Sequence, residues 1–225
     1  MTASELALSG ITVVSLEQAI AAPFCTRQLA DLGARVIKIE QPGKGDDTRG
    51  WGPPFQGKES SYFMSVNRNK ESLTLDFKDP DGRTILEQLI AKADVLVENF
   101  RPGTLDKLGL NAASLTARHP RLVYCSISGF GQTGPYGKKG GLDIIAQGMS
   151  GIMMMTGHPG GRPAKVGIAM NDIASGVTTL YGVLGALIGK LRHGEGQYLE
   201  TSLLEAGMAW AVWEFGAYFG GGEVP

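Results

Sequence analysis

The chain has 225 residues, is 43% hydrophobic, and balances 21 lysines and arginines against 22 acids for a formal net charge of −1. That size and apolar content support a hydrophobic core and exclude a disordered chain. The interspersed charge offers no basic face to nucleic acid and no polybasic segment to a membrane, so any bound anion must be met by local groups.

Two cysteines, Cys25 and Cys125, sit in apolar stretches outside any CxxC or Cys/His cluster and read as core thiols of a reducing compartment. The opening MTASELALSG lacks the basic start and apolar run of an export signal, which makes a cytoplasmic location the expectation. Three scattered histidines give no metal constellation.

In chain order, ITVVSL at 11–16, a helical pattern from Pro23 to Leu32, and RVIKIE at 35–40 set a βαβ rhythm. SLTLDF at 72–77 and DVLVEN at 94–99 bracket a helix that Asp79 caps, with Pro80 in its first turn. LVYCSIS at 122–128 reads as another buried strand, and KVGIAM at 165–170 as a short extended piece leading into a helix from about Ile173 to His193. That helix is weakly polar and contains Ser175, Thr178 and Thr179, so it reads as buried and not membrane-spanning. Its Gly182, Gly185 and Gly189 predict close approach of another backbone. QYLETSL is a last strand candidate, followed by an apolar helix through Trp210 and Trp213.

The alternation predicts an α/β fold with a Rossmann-like open parallel sheet flanked by helices. Residues 1–200 form the large domain in this reading, and 201–225 a helix and the start of a connection; the GGGEVP ending stops in loop composition and suggests a chain that continues. No glycine follows the first strand, where EQAIAAPF stands, which disfavours a dinucleotide; a phosphate-binding GxxxxGK[ST] loop is also lacking.

Asp172 stands at the entry to the long helix. One reading is an N-cap that accepts backbone N–H bonds; the other is a carboxylate held ionised and oriented by the helix start, with small neighbours leaving room for a substrate. The stretch from Gly43 to Lys78 mixes Arg49, Lys58, Arg68, Lys70 and Lys78 with Trp51, Phe55, Tyr62 and Phe63. It reads either as a solvated loop or as a set of cations beside aromatics suited to a phosphate and a flat ring. ENFRPGTLDKLG puts Asn99, Phe100 and Arg101 past the carboxyl end of a parallel strand, where open α/β sheets bind ligands, although a strand-to-helix turn explains it equally. The glycine-rich GFGQTGPYGKKGGLD at 129–143 is either a surface connection or a loop facing a ligand.

Five blocks, AAPFCTRQLADLGARVIKIEQPGKGDDTRGWGPPF, SVNRNKESLTLDFK, DVLVENFRPGTLDKLGL, YCSISGFGQTGPY and VGIAMNDIASG, together resemble the class III CoA-transferase (CaiB/BaiF) family over essentially the whole chain. The pairing of GDDTRGWGPPF with SVNRNK looks most like the branch that uses succinyl-CoA or a related dicarboxylyl-CoA with a dicarboxylic acceptor. The resemblance implies that Asp172 is the catalytic aspartate, acylated to a mixed anhydride and then converted to an aspartyl-CoA thioester. It places CoA contacts on Ile20, Ala21, Gln41, Leu75, Lys78, Asn99, Phe100 and Lys107, with Gln41 where the family often has a basic residue. Asp143 matches an acidic position near the reacting centre.

Coenzyme A enters as a thioester substrate, no tightly bound cofactor or metal is implied, and the partners are an acyl-CoA and a carboxylic acid acceptor. The family's α-methylacyl-CoA racemases need a histidine immediately before the position of Asp143; Leu142 stands there, and a leucine moves no protons. A further implication is an interlocked homodimer in a longer protein, whose later portion brings a small domain and a glycine-rich loop. The competing reading is a CoA-binding segment without turnover.

Overall fold

The computed structural model describes residues 6–222 and 224. Parts of the amino-terminal stretch read for an export signal and of the GGGEVP ending lie outside the described residues.

The chain opens with β1 (Thr12–Leu16), α1 (Ala21–Asp31) and β2 (Arg35–Glu40), the expected βαβ unit. A single 3₁₀ turn at Asp47–Gly50, a small hairpin of β3 (Phe55–Gln56) and β4 (Glu59–Ser60), and α2 (Ser61–Asn67) occupy the glycine- and proline-rich stretch. Next come β5 (Lys70–Thr74), α3 (Pro80–Ile90), β6 (Val95–Glu98), α4 (Ala112–Arg118) and β7 (Val123–Ser128). The remainder comprises α5 (Asp143–Met149), α6 (Ile152–Met155), α7 (Met170–His193), β8 (Tyr198–Ser202), α8 (Leu203–Trp210) and α9 (Val212–Gly221).

Six strands form one parallel sheet in the order β5-β2-β1-β6-β7-β8. The chain builds outward from β1 in one direction, returns, and builds outward from β6 in the other, so a topological switch point falls between β1 and β6. Alternate residues of the central strands β2, β1, β6 and β7 feed two cores. Val13, Val36, Val95 and Val123 meet Cys25 and Leu29 of α1 and Val183 and Leu187 of α7. Val14, Ile37, Leu96 and Tyr124 meet Leu86 and Ile90 of α3 and Leu115 of α4. Each of the fully buried leucines and isoleucines here contributes roughly 1.5–3 kcal/mol. Both cysteines are buried free thiols of the first core.

Asp79 caps α3 as expected, accepting the N–H groups of Asp81 and Gly82 ahead of Pro80 in the first turn. Elsewhere the boundaries move for tertiary reasons. β5 begins at Lys70 because that lysine's ammonium is anchored to Glu17 Oε1 (2.7 Å), the Pro23 carbonyl and Asn67. It ends before the expected Phe77, where Asp76 Oδ1 accepts the Lys78 N–H and turns the chain. KVGIAM does not form a strand: Met170 already opens α7, and the residues before it lack regular structure. The apolar helix through Trp210 and Trp213 breaks at Ala211 (φ −89°, ψ 37°) into α8 and α9. β8 runs past residue 200, and α8 packs back on α5 and α7.

By length and composition α7 could cross a membrane. Here its buried stripe packs against α1, and Lys190 near its end pairs with Asp94 at 2.7 Å. Its close-approach glycine is not among the three expected. A Cβ at Gly182, Gly185 or Gly189 would meet no backbone within 4 Å, whereas one at Gly176 would lie 2.8 Å from the Ala21 carbonyl. Gly176 therefore lets the first turns of α7 press on the start of α1.

Candidate active site

At the carboxyl ends of β1, β2, β5 and β6 lies a cleft of about 470 Å³. Five of the eight residues expected to hold CoA line it: Gln41, Leu75, Lys78, Phe100 and Lys107. Leu75 supplies a buried apolar floor, and Phe100 packs its ring on Phe77 with centroids 6.1 Å apart. Lys78 and Lys107 are exposed at the rim, and neither makes an ion pair among the described residues, so both cations are available to an anionic ligand. Asn99 stands beside the cleft at the switch point. Its amide pairs reciprocally with the backbone of Gln18, accepting at 2.9 Å and donating at 2.8 Å, and so ties the ends of β1 and β6.

Four acids also face the cleft: Asp76, whose Oδ1 accepts the Lys78 N–H, and the cluster Glu17, Glu40 and Asp46, which would repel a phosphate if left bare. The three of that cluster are neutralised from below. Lys38 lies 2.7 Å from Asp46 and 3.6 Å from Glu17; Lys70 lies 2.7 Å from Glu17; Arg49 lies 2.7 Å from Glu40. Burial works to raise the Glu40 carboxyl, but Arg49, Ser72 and the Asp46 N–H outweigh it and hold the pKa down to about 2. Burial pushes Lys70 down to about 8 against the pull of Glu17. Because Asp46 also accepts from Thr48 N and Oγ1, the network folds the 41–50 loop over β2 and forms one wall of the cleft.

This pairing leaves few of the basic residues of 43–78 for a ligand. Arg49 is held by Glu40 and Glu59 and lies over the Phe63 ring at 3.9 Å; Arg68 is held by Asp31, and Lys70 is buried on Glu17. Of the five, Lys78 alone lines the cleft.

Asp172 is the third residue of α7, not its cap. The carboxylate that satisfies the helix start belongs to Asp143, whose Oδ1 accepts the N–H groups of Asn171 at 2.8 Å and Asp172 at 3.2 Å. Asp143 reaches there because Gly129 and Gly141 pinch the intervening loop shut: a Cβ on either would lie 2.4 Å from the other's Cα. Asp172's own carboxylate accepts no hydrogen bond from the described residues. Burial and the neighbouring Asp143 charge push its pKa up to about 7, against the helix start's pull toward the ionised form.

Tyr62 is a residue sequence reasoning grouped only among aromatics. Its hydroxyl is buried and has no hydrogen-bond partner among the described residues. Burial first, then the charges of Asp172 and the cleft-lining Asp46, push its pKa up, which places the hydroxyl within electrostatic reach of both. Ile20 and Ala21 do not line the cleft; they begin α1, where Ala21 abuts Gly176 one turn beyond Asp172. Among the described residues no His, Cys, Asp or Glu group could hold a metal ion.

The family model described as CoA-transferase family III matches residues 8–225. The chain belongs to that family. It is 45% identical over 202 residues to the succinyl-CoA:glutarate CoA-transferase of Homo sapiens, covering 90% of this chain and 46% of that protein. It is 48% identical over 201 residues to the acetyl-CoA:oxalate CoA-transferase of Acetobacter aceti, covering 89% of this chain and 51% of that one. A CaiB/BaiF family crystal structure from Brucella suis superposes with a TM-score of 0.94 at 43% identity, over 98% of this chain and 59% of that one. The chain thus spans about half the length of the relatives it matches.

For a class III family member, the signal that sequence reasoning missed was Lys38 and Glu40 inside RVIKIE. Charges within a buried strand need buried partners, and these two mark the wall of the cleft.

Proposed function

We propose that the protein carrying this chain moves CoA from an acyl-CoA, succinyl-CoA or a similar dicarboxylyl thioester, to a carboxylic acid acceptor, with Asp172 as nucleophile. The observation that carries this reading is the Asp172 carboxylate, held at a helix start by Asp143's bonds to the backbone while its own oxygens have no donor among the described residues. The cleft, with Phe100 for a flat ring and Lys78 and Lys107 for phosphates, suits the nucleotide end of the donor.

In this mechanism the Asp172 carboxylate attacks the thioester carbonyl, the C–S bond breaks, and CoA leaves as thiolate from a mixed anhydride. The thiolate attacks the aspartyl carbonyl and expels the donor acid, leaving an aspartyl-CoA thioester. The acceptor carboxylate attacks that thioester, again releasing thiolate, which then takes the acceptor acyl group and restores Asp172. Each step exchanges one acyl bond for another, so no external oxidant or reductant is needed.

The test is exchange by the full-length protein, with succinyl-CoA offered against a panel of dicarboxylic and hydroxy acids and new thioesters read by mass spectrometry; no exchange with any acid refutes the proposal. Only ionised Asp172 attacks, and its pKa is about 7, so kcat/KM is expected to fall as pH drops through that value and to level off above it. A flat profile between about pH 5 and 8 would contradict the nucleophile assignment.

Lys78→Ala and Lys107→Ala are each expected to raise KM for the acyl-CoA roughly tenfold at low salt, with kcat little changed. The effect should shrink with ionic strength, because both lysines are exposed. An unchanged KM in both variants would remove the phosphates from this rim.

A further inference from the structure

Gln147 lies inside the fold, 0% exposed, four residues after Asp143 on α5. At that spacing the two side chains share one helix face. Its Nε2 donates to Asp143 Oδ2 at 2.6 Å and to the Ile168 carbonyl at 3.1 Å, and its Oε1 accepts the Val166 N–H at 2.9 Å. Both donors and the acceptor of the amide are therefore used. One side chain joins α5, the irregular segment before α7 and, through Asp143 Oδ1, the N–H groups of Asn171 and Asp172.

We propose that Gln147 is a positioning residue for the reaction: its amide holds the Asp143 carboxylate in register with the first turn of α7 and thereby sets where the Asp172 carboxylate points. This rests on the transferase reading above. Asp143 has two oxygens to satisfy, and only one faces the helix start. Without a donor on the other, the carboxylate can rotate toward water and release one or both amides it caps. The segment at 166–168 would loosen with it, since the same amide fixes that segment at two points. Neither change touches the CoA cleft, which Gln147 does not line. Glutamate keeps the volume but replaces the donating amide with an acceptor facing Asp143, and methionine keeps the length without either polar function.

The experiment uses the full-length protein with Gln147→Met and Gln147→Glu. Both are expected to lower kcat by at least ~10-fold with KM for the acyl-CoA held within about twofold, the split that misdirected chemistry produces. Amide hydrogen exchange at Asn171 and Asp172 should quicken by about tenfold or more while the middle of α7 is unchanged. Unchanged kcat and unchanged exchange at those two amides in both variants would overturn the proposal. So would uniformly faster exchange along α7 with a lowered melting temperature, which would make Gln147 a structural residue only. Asp172→Ala in the same assay separates the two readings. If it still transfers CoA, the transferase mechanism fails and the amide exchange alone decides Gln147; if it is inactive while both Gln147 variants are fully active, the positioning role alone fails.

Discussion

Asp172→Ala in the full-length protein is expected to slow CoA exchange by on the order of 10⁴-fold, with acyl-CoA affinity changed no more than a few-fold. Removing the proposed nucleophile closes the proposed covalent route, and Asp143 cannot replace it because its oxygens are engaged by the amides of Asn171 and Asp172 and by Gln147. Affinity persists because Asp172 is not among the residues lining the cleft. In the unaltered protein, acyl-CoA followed by hydroxylamine should mark Asp172 alone, as read by peptide mass spectrometry. Full activity in the alanine variant, or a mark elsewhere, refutes the assignment.

The same side chain carries a stability consequence. Its pKa is raised from 3.8 to about 7 in the folded chain, so the protonated form is favoured there. Stability from this group is fully present below about pH 4 and is lost as pH rises through about 7, amounting to a few kcal/mol at most. Asp172→Asn, which cannot ionise, should therefore melt above the unaltered protein at pH 8 and converge with it near pH 4. Parallel melting curves at both pH values would show that the carboxylate is not held out of water.

Lys38→Met is expected to destabilise the fold by roughly 3–5 kcal/mol and to weaken acyl-CoA binding as well. Lys38 is 1% exposed, in the second strand of the sheet, and faces Asp46 and Glu17. Its loss leaves Asp46 buried without its cation and Glu17 with Lys70 as its remaining charge partner. Since Asp46 caps the 3₁₀ turn in the loop that walls the cleft, local and global effects should appear together, as a lower denaturation midpoint and a higher KM. The bidentate Arg35–Glu71 pair is the control: both side chains are exposed, and Arg35→Ala should move the midpoint little. Equal midpoints for Lys38→Met and the unaltered protein would show that the buried network contributes nothing to holding the loop.

Strands β1, β2, β6 and β7 were legible because each carries a short β-branched run, and the observed β2 and β7 begin and end within one residue of the patterns RVIKIE and LVYCSIS. The cap of α3 was legible because Asp79 and Pro80 act on neighbours within three residues. Asp172 could be singled out from its place before a long weakly polar helix and from the family blocks around it. Its environment could not, because the carboxylate that caps α7 comes from Asp143, 28 positions earlier than the first amide it binds.

The local sequence determined β1, β2, β6 and β7, the capped start of α3 and the long helix α7, since those depend on side-chain period and on contacts between near neighbours. Tertiary structure alone decided which cations remain free for a ligand and which are consumed by buried acids. Lys70 meets Glu17 across 53 positions, and Arg68 meets Asp31 across 37. Pairing of charges depends on distance in space and on exclusion of water, and neither is encoded in the spacing of residues along the chain.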